Sequence, residues 1–153
     1  MRTQFKITWH LAIFATLVFS TAATAGEAFV NTVTVHGYDL VSYHQNGKPL
    51  EGLGTHASVV DGATYLFINQ ENKETFEKNP HKYLPAFGGY CAYGVAVGKK
   101  FDGDPNTWEI VDGKLYLNLN KDIQKLWYKD ISGHIQKAEK NWVEIKNKAA
   151  SEL

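Results

Sequence analysis

Two rhythms of hydrophobic and polar residues run along this chain. In "HASVVDGATYLF" β-forming residues stand on both sides of Asp61-Gly62, a pair suited to a type I′ turn, so the segment predicts a β-hairpin. "WEIVDGKLYLNL" has the same form around Asp112-Gly113, and "FVNTVTV" (29–35) is β-rich. Helical spacing takes over elsewhere. Asp39 is placed to cap a short turn in "YDLVSYH", and Asn69 to cap "QENKETFEKN", which Pro80 ends. Ile123, Leu126 and Trp127 fall at i, i+3 and i+4. Ser132-Gly133 then breaks the chain, and a last helix aligns Ile135, Ala138, Trp142 and Ile145 on one stripe. The pattern predicts an α+β fold, small antiparallel β-hairpins packed against helices, with C-terminal helices and a frayed tail over 148–153.

The hairpins invite alignment. "VDGATYLFINQENKETFEKN" from Val60 and "VDGKLYLNLNKDIQKLWYKD" from Val111 match without gaps. Asp61 falls on Asp112, Tyr65 on Tyr116, Leu66 on Leu117, Asn69 on Asn120 and Phe76 on Trp127. Either one unit is used twice, or the common grammar of turn, strand and capped helix recurs by itself. Both readings imply the same α+β unit in both places.

The first 25 residues follow a different logic. Arg2 and Lys6 give a basic start, "LAIFATLVFS" an apolar run too short to span a bilayer, and Ala23-Thr24-Ala25 an A-x-A cleavage signal. Residues 1–25 therefore read as a cleaved secretory signal peptide, with 26–147 as a single domain in a periplasmic product free of the membrane after processing. Losing Arg2 and Lys6 turns the formal net charge of zero into about −2, which offers no footprint for nucleic acid. Export also sharpens the meaning of Cys91, the only cysteine, which has no partner for an internal disulfide. The only methionine is Met1, so processing leaves no thioether ligand.

"GYDLVSYHQNGKPLEG", "DGATYLFINQENKETFEKNPHKYLPAFGGYCAYGVAVGKK", "DGKLYLNLNKDIQKLW" and "AEKNW" resemble the exported bacterial YHS-domain proteins over roughly residues 35–142. The resemblance implies a small α+β domain related to the TRASH and YHS modules, which often accompany heavy-metal transport and sensing. The metal-associated modules typically carry paired cysteines. Here only Cys91 is present, which rules out a closed four-cysteine zinc site within one chain.

The segment after Cys91 alternates as a strand would, yet a short helix opening at Gly89 and closing at Gly98 also fits, and the resemblance favours the helix. In its first turn Cys91 would be biased towards thiolate. The resemblance also brings His56, at the start of the first hairpin, near the cysteine segment, with His44 as a further candidate. Thiolate and imidazole suit copper, or alternatively zinc. The metal reading thus names Cys91, His56 and His44, with Tyr43, Tyr65, Tyr90 and Tyr93 lining the pocket. Against it stands a buried, structural Cys91 in a non-catalytic interaction module, with a homodimer or a periplasmic protein as possible partner. A single-cysteine redox protein is the third reading. No catalytic constellation is legible. Asp102, Asp104 and Asn106 alternate like the start of a calcium loop, but Thr107 and Gly113 stand where its glycine and glutamate belong.

Overall fold

The computed structural model describes residues 32–153; the expected leader and residues 29–31 of the β-rich segment lie outside them. Strand β1 (Thr32–Val33) leads through a 3₁₀ turn (Val35–Gly37) into α1 (Leu40–Asn46). The first hairpin is β2 (Leu53–Val60) and β3 (Ala63–Phe67), followed by α2 (Gln70–Lys78) and α3 (Pro80–Tyr83). A second 3₁₀ turn (Ala86–Gly89) leads into α4 (Ala92–Ala96). The second hairpin is β4 (Asp104–Val111) and β5 (Lys114–Asn118), and α5 (Lys121–Trp127) and α6 (Ile131–Ile145) complete the helices. The fold is α+β, with two small antiparallel hairpins packed against helices and helices at the C-terminal end.

Local chemistry explains these boundaries. Asp61 and Gly62 both have positive φ (51° and 77°), as do Asp112 and Gly113 (50° and 75°), as a type I′ turn requires. Asn69 Oδ1 accepts from the Asn72 amide at 2.8 Å, and Asn120 Oδ1 from the Ile123 amide at 2.9 Å, each capping a helix. Pro80 does end α2, and it also opens α3, where its fixed φ suits the first helical position. The break expected at Ser132-Gly133 is not there. Asp130 caps α6 by accepting from the Gly133 amide at 2.9 Å, so both residues lie inside the first turn.

The correspondence of the two hairpins extends upstream through a much longer stretch of backbone, with one extra residue in the first unit between Ser42 and Leu50. Val35, His36 and Gly37 have φ of 49°, 52° and 79°, and Phe87, Gly88 and Gly89 repeat them at 54°, 64° and 86°. Tyr38 bridges Glu51 as Tyr90 bridges Asp102. The Asp39 amide donates to the Leu50 carbonyl at 2.8 Å, and the Cys91 amide to Phe101 at 2.8 Å. Each hairpin then has the same irregularity, between Leu53 and Ala57 in one and between Asp104 and Trp108 in the other. β1 extends the first sheet by pairing in parallel with β3, and a single parallel bridge from Cys91 to Leu117 lies on the same side of the second. The molecule is one unit built twice in succession, to which α6 is added.

Each unit contributes an aromatic from its second helix. Phe76 sits in a cluster with Leu40, Val41, Tyr65, Phe67 and Leu117, and Trp127 in one with Phe87, Ala92, Val95 and Tyr116. α6 covers the second cluster with Ala138 and Ile145 buried, and Ile135 and Trp142 packed beside them. The tail expected to fray has an anchor at its start. Lys100, almost fully buried, donates through Nζ to the carbonyls of Lys146 and Lys148 at 2.7 and 2.6 Å. Ala150–Glu152 form a 3₁₀ turn, and Leu153 packs on the second cluster.

Candidate functional site

Cys91 is the N-cap of α4. Its side chain is fully buried, and its sulfur accepts from the Gly94 amide at 3.3 Å. The thiol faces Asn118 Oδ1 at 3.8 Å, and that oxygen also accepts from the Tyr93 amide at 3.3 Å. Burial pushes the thiol pKa up, against the opposing pull of the Gly94, Leu119 and Tyr93 amides. The expected bias towards thiolate is therefore reversed. A helix of five residues is too short to offset the loss of water around a buried sulfur.

Asp39 holds the corresponding place in the first unit and shows what the position demands. It caps α1, with Oδ1 accepting from Val41 and Ser42 at 2.8 and 3.2 Å. Its Oδ2 accepts from the Ile68 amide at 3.0 Å and from Asn72 Nδ2 at 2.7 Å. In the second unit the amides corresponding to Val41, Ser42 and Ile68 belong to Tyr93, Gly94 and Leu119. Asn118 takes the first, while the Cys91 sulfur takes the second and draws on the third. A thiol and a carboxamide divide the work of one carboxylate.

The candidate ligands are not assembled around that thiol. His56 lies in the irregular stretch of β2, with Nδ1 buried and unpartnered. The residue in that position beside Asn118 is Thr107, whose hydroxyl donates to the Asn118 carbonyl. His44, in the last turn of α1, places its ring edge-on to Tyr83 at 5.3 Å, and its Nε2 is likewise buried without a partner. Burial, then Lys82, lowers its pKa. The side-chain partners of Cys91 include no histidine or carboxylate, and no three such groups gather to hold a metal among the described residues. The donor set at Cys91 does not fit a copper or zinc ion.

The four candidate tyrosines are dispersed. Tyr43 is a core residue whose hydroxyl donates to the Pro105 carbonyl at 3.0 Å. Tyr93 meets the His134 ring edge-on at 5.1 Å. Tyr90 lines a small hollow of about 280 Å³ where the two left-handed turns meet, with His36 Nε2 and Asp102 Oδ2 paired at 2.9 Å. Tyr65 lines a larger cleft of about 630 Å³, together with its repeat partner Tyr116.

That cleft lies where the two units meet α6. Phe87 forms a corner, its ring 5.8 Å from Trp142 at 63° and 6.0 Å from Tyr116 at 56°. Glu139, Lys114 and His81 bring polar groups to the same cleft. Burial, then the Glu139 charge, raises the Tyr116 pKa.

No protein-family model, curated protein or solved structure matches this chain. The Cys91 site can cap a helix and hold a neutral thiol, whereas the cleft can take a ligand. Lys114, Glu139 and Trp142 were not singled out as binding residues from the sequence. The usable signal was the register placing Tyr65 on Tyr116, which joins one tyrosine from each unit.

Proposed function

We propose that the protein is an exported, non-catalytic binding module with a YHS-like architecture, in which Cys91 is structural. One observation carries this reading: Cys91 stands where Asp39 stands in the other unit, and its sulfur acts as a cap acceptor at full burial. A neutral, desolvated thiol is a poor nucleophile and a poor ligand. The leader-like first 25 residues support export, and N-terminal sequencing of the periplasmic fraction should then begin at Gly26.

The test combines thiol titration with metal analysis on protein carrying no polyhistidine tag. Ellman's reagent should leave the native thiol unmodified and react with one equivalent after unfolding in urea. Copper and zinc should be substoichiometric and unchanged in Cys91→Ser. Stoichiometric metal that disappears with the substitution would establish the metal-binding reading in place of this one.

A further inference from the structure

The cleft beside α6 combines features that point to one class of ligand. Its volume, about 630 Å³, falls in the range of small-molecule sites. Phe87, Tyr116 and Trp142 line it, with the Phe87 ring at 56° to Tyr116 and 63° to Trp142. Such a corner suits a compact organic cation, because ring faces carry negative potential. The molecule already uses this chemistry next door, where Lys100 Nζ lies 5.1 Å from the Tyr90 centroid and 5.3 Å from that of Trp142.

Charge narrows the choice. Glu139 and Lys114 border the same cleft with opposite signs, and neither belongs to an ion pair among the described residues. A simple anion would meet Glu139, and a simple cation would meet Lys114. A ligand bearing both charges satisfies both.

We infer that this cleft binds a small zwitterion, an alkylated ammonium joined to a carboxylate. The ammonium would sit in the aromatic corner beside Glu139, with the carboxylate towards Lys114. The inference rests on the binding-module reading and gives that module its ligand class.

Glycine betaine and its uncharged-head isostere, 3,3-dimethylbutanoate, separate charge from shape. Calorimetric titration of the full mature protein should show betaine binding at least about tenfold tighter than the isostere. Glu139→Gln and Lys114→Gln should each weaken betaine by about fivefold or more with unchanged circular dichroism. Equal affinity for the two compounds would overturn the inference, as would no betaine binding at about 10 mM by folded protein. Thiol titration of the same samples keeps the two claims apart. A masked thiol without betaine binding defeats only the ligand class, whereas a reactive, metal-loaded Cys91 defeats the module reading itself.

Discussion

The unit around Asp39 and the unit around Cys91 share a backbone and differ in the chemistry of their cap. In the first, one buried carboxylate accepts from three amides and a carboxamide. In the second, sulfur and Asn118 oxygen split the corresponding amides. The position thus demands acceptors aimed at particular backbone N–H groups, and formal charge is optional. This makes the lone thiol a consequence of the architecture: it replaces an acceptor that the fold requires. The units diverge in structure elsewhere, because α6 packs over the second one and lines the cleft.

The comparison is most easily broken where the backbones pass closest. A Cβ on Gly52 would lie 2.4 Å from the Leu66 carbonyl carbon, and one on Gly103 would lie 2.4 Å from the Gly89 carbonyl oxygen and 2.7 Å from Leu117 Cβ. The obstacles include backbone, so no side chain can swing aside. Gly52→Ala and Gly103→Ala should each cost about 3 kcal/mol or more in urea denaturation, or prevent folding. If either alanine variant melts like the wild type, the close approach is not a shared requirement.

The caps should rank next, and unequally. Asp39→Ala strands three amides and Asn72 Nδ2, so a loss of about 3 kcal/mol is expected. Cys91→Ala removes a weaker acceptor and leaves Asn118 serving Tyr93, so about 1–2 kcal/mol is expected. Equilibrium unfolding of both variants should give that order. A larger loss at Cys91 would mean that the thiol does more than cap.

Much of this architecture was legible in the sequence because local rules wrote it. Asp-Gly turns and asparagine caps act within a few residues, so both hairpins and both following helices could be read directly. The α6 boundary was misread because Gly133 counts as a breaker, whereas here the Asp130 cap consumes its amide. The contact at the start of the tail was not legible because its anchor, Lys100, is distant in sequence and binds carbonyls, which carry no side-chain signature. The site was the least legible part. The environment of Cys91 depends on Asn118 across the second sheet, and that of His56 on which unit its strand belongs to. Carried upstream without a gap, the internal alignment sets Cys91 on Leu40. One extra residue between Ser42 and Leu50 shifts the register, and the backbone is what sets Cys91 on Asp39 and recasts the cysteine as a cap.

The smallest expected effect isolates the thiol through pH. The folded-state pKa of Cys91 is raised above its ordinary value near 9 by burial. The folded protein therefore holds the thiol proton more tightly than the unfolded chain does. The stability this confers is fully present below the ordinary value, and is lost as pH rises from there through the raised one. Tyr65 and Tyr116 also have raised values, so the total stability of the wild type cannot isolate the cysteine. Cys91→Ser can, because a serine hydroxyl accepts the same amide and does not titrate in this range. The difference between wild type and Cys91→Ser should stay within about 1 kcal/mol and flat from about pH 6 to 8. Above about pH 9 it should shift steadily in favour of the serine variant. A difference that instead grows in favour of the wild type as pH rises towards about 9 would reveal a thiolate stabilised in the folded state. The second unit would then hold a charged sulfur acceptor at the position that Asp39 caps in the first.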